Sequence, residues 1–275
     1  MPIPSRLLVA AAAGALAAAG LAGPPPALAQ TRSQASDAPS PPAAKEEPAR
    51  FVDERADRLL HRMADYLRAQ PRFTVEAELL FDEVLPSGQK LQLTGTAGIA
   101  LSRPAGLYAE QASDLGERRF WYDGKRITLL DPKTGFYAAA DTAPTVDEML
   151  AGLVQQLGFS PPLADFLGSD PYGTLRHAVR FGIYVGPSLL DGVRVHHLAF
   201  VQETTDWQIW IEDGPTWVPR KFLITYKAVP GEPQYTAVLK DWDFARPIAP
   251  TQFEPDLPAG ASEIAFARLV TQAKP

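Results

Sequence analysis

The chain has 275 residues, with 26 Lys and Arg against 32 Asp and Glu, a formal net charge of -6. At 46% hydrophobic and 21% charged it is too apolar to be disordered throughout, and its acidic balance without a Lys/Arg-rich run argues against nucleic acid or an anionic membrane surface as main partner. It contains no cysteine, which excludes a disulfide scaffold, a thiolate metal site, a cysteine nucleophile and a lipid-modified mature N-terminus.

Met1 to Arg6 carry one positive charge, and an uncharged stretch of mostly Ala, Leu and Gly runs from Leu7 to Gly23. Pro24-Pro25-Pro26 and Ala27-Leu28-Ala29 follow. A short apolar segment ending in A-x-A is the pattern of a secretory signal peptide (residues 1–29), cut after Ala29. The alternative is a retained anchor, for which 17 alanine-rich residues are barely long or apolar enough; after cleavage no stable membrane span is expected. Loss of Arg6 leaves 25 positive and 32 negative groups, a charge of -7. Residues 30–50, rich in Ser, Pro, Ala and charge, cannot bury enough apolar surface to order themselves and read as a disordered spacer.

Val52, Ala56, Leu59, Leu60, Met63 and Leu67 recur at helical spacing and predict an amphipathic helix ending near Pro71. From Arg72 the period becomes two. Phe73, Val75, Ala77, Leu79 and Phe81 form one strand face; after Pro86-Ser87-Gly88, Leu91, Leu93, Ala97, Ile99 and Leu101 form the other arm of a hairpin. Shorter strands are expected at Leu107 to Gln111, Arg118 to Tyr122, Arg126 to Leu130 and Phe136 to Ala139, with turns at Asp123-Gly124 and Asp131 to Gly135. Such a meander gives an antiparallel sheet.

Thr145-Val146-Asp147-Glu148 is a capping box, opening a helix with the apolar stripe Val146, Met149, Leu150, Leu153, Val154 and Leu157 and a stop at Gly158. Ser160-Pro161 is expected to open a shorter helix through Leu163, Phe166 and Leu167. Strands resume near Phe181 and include Val193 to Val201, Trp207 to Ile211, Arg220 to Lys227 and Gln234 to Phe244. A last one is expected near Ile264 to Phe266, followed by a loose tail, 267–275. No linker composition separates the two strand blocks, so residues 51–266 read as a single domain of α+β class.

Chemistry is sparse. His61, His177, His196 and His197 have no H-x-x-x-H spacing, and the adjacent pair in one strand must point to opposite faces, so no metal site is expected. No nucleophile elbow, Walker loop or dinucleotide fingerprint occurs, and no catalytic residue and no cofactor are assigned. Glu212-Asp213 beside Trp207 and Trp210 suggest a glycan hydrolase at most, although Asp213-Gly214-Pro215 is adequately explained as a turn. The tryptophans Trp207, Trp210, Trp217 and Trp242 read as a sheet face packed on a helix.

Several strings occur together in order: Arg126 to Tyr137, Leu163 to Tyr172, His197 to Phe200, Asp206 to Gly214, and Ile224 to Lys227. With Trp-Gln-Ile-Trp-Ile-Glu-Asp-Gly as the most specific part, the chain resembles the DUF2092 family of predicted periplasmic proteins over roughly residues 51 to 266. The string Arg194-Val195-His196-His197 departs from that family, in which a cysteine commonly precedes the matching aspartate-histidine pair; none is present here, so no thiol role carries over. The family in turn resembles, more distantly, the lipoprotein-carrier (LolA/LolB/RseB-like) fold. That resemblance implies a strongly curved antiparallel sheet, a half-open β-barrel, whose concave face is covered by an N-terminal helix and a two-helix insertion.

It also implies a cavity. The strand positions Val75, Leu79, Phe81, Leu91, Leu93, Ile99, Leu129, Phe222, Ile224 and Tyr226 would wall it, and Met149, Leu150, Leu153, Val154, Leu157 and Phe166 would roof it. An acyl chain buried there gains about 0.8 kcal/mol per CH₂. The same residues would fill a dry core equally well, since alternation does not distinguish the two. The reading is an exported, non-enzymatic periplasmic protein binding a hydrophobic small molecule or lipid, or a lipidated protein. The alternative is a protein-interaction or sensor module that binds an envelope protein.

Overall fold

The computed structural model describes residues 51–157, 160–161 and 163–266. The expected signal peptide, spacer, helix stop at Gly158 and loose tail lie outside them, as does the side chain of Leu157.

Strand β1 (Phe51–Val52) leads into α1 (Glu54–Arg68). Asp53 caps this helix, its Oδ1 accepting from the amides of Arg55 at 2.8 Å and Ala56 at 3.0 Å. The buried stripe Ala56, Leu60, Met63, Ala64 and Leu67 is the one its periodicity predicts. Leu60, Met63 and Leu67 are fully buried, worth about 1.5–3 kcal/mol each relative to exposure.

Pro71 ends the helical run, and β2 (Arg72–Val84) pairs antiparallel with β3 (Lys90–Ser102) from Arg72↔Ser102 to Val84↔Lys90. In their turn Gly88 has φ +83°, a left-handed conformation that glycine adopts without steric cost. The meander continues through β4 (Gly106–Ser113), β5 (Gly116–Tyr122), β6 (Arg126–Asp131) and β7 (Phe136–Asp141).

The insertion begins with α2 (Val146–Gly152), which runs on as a π turn over Leu153–Leu157. Its capping box forms: the Thr145 hydroxyl accepts from the Glu148 amide at 3.3 Å and lies 2.8 Å from Glu148 Oε2. The expected second helix is reduced to one 3₁₀ turn, Ala164–Phe166. The second helix is instead α3 (Pro171–Arg176), with Pro in its first turn and Asp170 Oδ1 accepting from Gly173 N at 2.9 Å. Strands β8 (Phe181–Leu190), β9 (Val193–Val201), β10 (Thr205–Glu212), β11 (Pro219–Tyr226) and β12 (Gln234–Asp243) follow. The last strand, β13, is Ser262–Glu263, two residues before its expected place; its partner β7 fixes it through Ser262↔Phe136 and Glu263↔Tyr137.

Among the described residues these strands form one sheet in the order β1-β8-β9-β10-β11-β12-β2-β3-β4-β5-β6-β7-β13. The two sequence blocks join where β12 pairs with β2. Only the two-residue edge strands, β1 on β8 and β13 on β7, pair in parallel. The outermost strands do not meet, so the sheet stays unclosed. Bulges at Tyr184/Gly186, Trp210/Ile211 and Lys240/Asp243 bend their strands. The architecture is therefore the α+β class expected from the sequence: a large, curved, mainly antiparallel sheet with few helices.

One close contact ties the C-terminal segment to this sheet. A Cβ on Gly106 would lie 2.7 Å from the Phe253 ring, which sits in the 3₁₀ turn Pro250–Phe253. Gly106→Ala is expected to cost about 1–3 kcal/mol by overpacking, read in urea unfolding, and the added substitution Phe253→Ala should recover part of the loss. Unchanged stability in Gly106→Ala would mean that Phe253 does not occupy that seat.

Candidate functional site

Cross-strand register sorts the concave face into rungs. The first is Phe73, Leu101, Leu107, Tyr122 and Ile127, and the second is Val75, Ile99, Ala109, Phe120 and Leu129; every member is buried. The Tyr122 hydroxyl donates to Ala143 O at 2.8 Å, and burial first, then Asp123 and Glu148, push its phenol up to about 12. This end of the sheet is solid core.

The next rungs are built differently. Leu239, Ala77 and Ala97 form the third, and Ala237, Leu79 and Gly95 the fourth, a floor of small residues interrupted by two leucines. Gly95 has a local reason, since a Cβ there would meet Ala112 O at 2.7 Å. The fifth rung is Ile224, Tyr235, Phe81 and Leu93, and Leu91 follows opposite Glu83. Phe81 is buried, whereas Leu91, Leu93, Ile224 and Tyr235 keep accessible surface. The face thus grades from filled to partly open along the strands.

Of the sixteen predicted wall and roof positions, the fifteen whose side chains are described, all but Leu157, divide along that gradient. Val75, Leu79, Phe81, Ile99, Leu129, Met149, Leu153, Phe166 and Phe222 are buried in the common core cluster. Tyr226 is 8% exposed. Leu91, Leu93, Leu150, Val154 and Ile224 are intermediate.

The insertion crosses this face. Phe166 reaches β11, its ring 5.3 Å from that of Phe222, the cross-strand partner of Ala237. It therefore stands over the small-residue floor. Two polar contacts hold the insertion in place: Arg103 Nη1 donates to Leu167 O at 2.7 Å, and Ser169 N donates to Asp147 Oδ1 at 2.7 Å. Helix α3 in turn packs on α1 through Tyr172 and Arg176, whose hydroxyl and Nε each donate to Asp57 Oδ1 at 2.9 Å.

Sequence reasoning missed two residues here. Asp165 and Tyr235 both keep accessible surface, yet burial is the leading cause that raises each of their pKa values. Tyr235 was legible in phase with Ala237 and Leu239; Asp165 carried no signal, because a carboxylate is not expected on an apolar face.

The histidines have separate surroundings. His197 stacks on Trp210 with ring centroids 4.1 Å apart and lies 2.9 Å from Gln208 Oε1. His196 lies 3.1 Å from the Tyr184 hydroxyl and 3.6 Å from Asp213. The tryptophans are likewise dispersed. Trp207 stacks on Phe200, Trp217 lies under Arg62 of α1, and Trp242 packs on Phe73 and Phe244. Glu212 is engaged by Arg220 at 2.6 Å and Thr216 at 3.0 Å, the arrangement of a structural ion pair.

Burial lowers the pKa of His196 and of His197; Asp213 and Gln208 oppose it, and Arg55 and Lys221 reinforce it. A depressed histidine pKa favours the neutral ring in the folded state, so its contribution is present above the ordinary value near 6.5 and lost as pH falls below it. The thermal midpoint should drop between pH 7 and pH 5, and the His196→Gln, His197→Gln double variant should show a smaller drop. An equal drop in both proteins would refute the assignment.

A family model described as "Predicted periplasmic protein (DUF2092)" matches residues 56–267. No curated protein matches the chain at a significant level. Solved structures similar to it include the lipoprotein LppX of Mycobacterium tuberculosis, at 11% identity over 72% of this chain and 99% of that one, with a TM-score of 0.47. LprF from Mycobacterium bovis matches at 10% identity over 77% and 99% of the two chains, with a TM-score of 0.41. A LolA superfamily protein from Nitrosomonas europaea matches at 8% identity over 73% and 97%, with a TM-score of 0.34.

Proposed function

Since the chain belongs to the DUF2092 family of predicted periplasmic proteins, we propose that it is an exported, non-enzymatic protein of the periplasm that holds a hydrophobic ligand, a lipid or the lipid of a lipidated protein, against its concave sheet face. The carrying observation is the gradient on that face: two solid rungs, a floor of small residues, then Leu91, Leu93 and Ile224 left partly accessible. Apolar surface kept accessible on a concave wall beside a helical cover is surface that a hydrocarbon chain can desolvate, at about 25 cal/mol per Å². Residues 51–266 act in this reading as one unit, and the wall is formed by the accessible members of the predicted set.

The test is uptake of N-phenyl-1-naphthylamine, a neutral probe that brightens in apolar surroundings. The purified protein should enhance its emission saturably, and a long-chain lipid should displace it. No enhancement above that of an unrelated acidic protein would defeat the proposal.

A second reading, a protein-interaction module, is favoured by one feature. Phe51, Phe181, Ile183, Val185 and Leu189 are exposed, all on β1 and β8 at one edge of the sheet, and only Phe181 and Gly182 of β8 are paired by β1. A single stoichiometric protein partner, captured without lipid and lost in an Ile183→Lys, Val185→Lys variant, would support it over the first.

A further inference from the structure

The five large apolar side chains that stand exposed among the described residues, Phe51, Phe181, Ile183, Val185 and Leu189, gather on β1 and β8. Strand β8 carries no charged residue, whereas strands at a sheet edge ordinarily carry charges that discourage further pairing. Strand β1 covers its first two residues, and among the described residues no strand pairs its outer side from Ile183 to Leu190. Pro187, which has no N–H, and the bulge at Tyr184/Gly186 interrupt this edge. Such interruptions oppose open-ended sheet growth and leave a place for one strand held largely by its side chains.

The concave side of the same edge is cationic. The Arg55 guanidinium, carried by α1, lies 4.0 Å from the centroid of the Tyr184 ring. Arg194, the cross-strand neighbour of Leu189, alternates onto the same face of β9 as His196 and Leu198. Both arginines are exposed, and neither side chain has an ion pair or hydrogen bond among the described residues. The acids beside them are already engaged. Glu54 meets Arg58 at 3.2 Å, Asp57 meets Tyr172 and Arg176 at 2.9 Å, and Asp213 lies 3.6 Å from His196. Tyr184 pairs with Leu198, four residues along β9 from Arg194, a separation of about 13 Å.

We infer that the free edge of β8 receives an extended, acidic segment of a partner protein as an added strand. Its carboxylates meet Arg55 and Arg194, and its apolar residues cover Ile183 and Val185. The inference rests on the protein-interaction reading above and names the chemistry of its partner. Side chains alternate along a strand, so residues four apart share a face and span the same distance of about 13 Å; two acids at that spacing reach both arginines while the residues flanking them turn to the apolar side. A second copy of this chain does not match the edge. Its own β8 brings no carboxylate, and a two-fold pairing over Ile183 to Leu190 sets the Tyr184 end of one strand beside the Leu189 end of the other. Arg55 of each copy then approaches Arg194 of the other, and like charges repel.

The probe is a fluorescein-labelled peptide of about ten residues, built of valine and threonine with two glutamates four residues apart; counterparts carry glutamine or lysine in both places. Fluorescence anisotropy against the purified protein at low salt should show the glutamate peptide binding about tenfold more tightly than the glutamine peptide, and the lysine peptide not binding. In Arg55→Gln, Arg194→Gln the glutamate and glutamine peptides should bind alike. In Ile183→Asn, Val185→Asn both should weaken about tenfold and keep their order. All four substitutions fall on exposed side chains, and circular dichroism should show the fold unchanged. Absence of binding, equal binding by the three peptides, or a glutamate preference that survives loss of both arginines overturns the inference. So does a concentration-dependent dimer of the unliganded protein abolished by Ile183→Asn, Val185→Asn, which makes a second copy the occupant. The protein-interaction reading is judged apart from these outcomes, on capture of a stoichiometric partner at this edge.

Discussion

Replacing Phe166 by alanine is expected to lower the free energy of unfolding by about 3–5 kcal/mol, the range for a large aromatic side chain removed from a close-packed interior. Phe166 is 1% exposed and meets Phe222 edge-on at 5.3 Å. It is carried by a single 3₁₀ turn, whose geometry has little stability of its own, so the aromatic anchor holds the turn and not the reverse. The Arg103 and Asp147 side chains bind the neighbouring backbone at Leu167 O and Ser169 N, but each such contact contributes only about 0.5–3 kcal/mol. Urea unfolding measures the loss. A loss below about 1 kcal/mol would mean that the insertion rests loosely on the sheet.

The second large effect is on binding. Ile224→Asp should weaken uptake of a neutral apolar probe by about a hundredfold or more, because a carboxylate on the fifth rung must be stripped of water as hydrocarbon enters, at a cost of several kcal/mol. Ile224 is only partly buried, packed against the core but not within it. The same substitution should therefore cost less stability than Phe166→Ala and leave a folded protein to assay. Ile224→Met, similar in volume and apolar, should bind the probe as the parent does. Unchanged probe affinity in Ile224→Asp would place the probe elsewhere.

Periodicity made much of the architecture readable. The alternation of Phe73 to Phe81 and of Leu91 to Leu101 located the long hairpin, and the Leu60, Met63, Leu67 stripe located α1, because each buries one face against a continuous core. Elements without a period were missed. Phe51–Val52 is a strand only because β8 offers it an edge. Pro171–Arg176 contains a glycine and shows no stripe, although Asp170 followed by Pro171 was a legible start signal. The expected helix around Leu163 to Leu167 shrank to one turn because Phe166 and Leu167 are fixed by contacts with β11 and Arg103, not by an amphipathic face.

The site was legible only to one layer. Alternation assigns Leu79 and Leu93 to the same face, yet Leu79 is almost fully buried and Leu93 is not. That difference depends on which part of the cover lies above each rung, a long-range property that a period of two does not contain.

Native mass spectrometry of the protein purified from a periplasmic extract tests the central claim most directly. The account predicts discrete adducts of lipid mass on the folded protein, removed by competition with lauryl alcohol and absent from Ile224→Asp. A protein that arrives bare and takes up no neutral amphiphile, with its fold intact by circular dichroism, would contradict it.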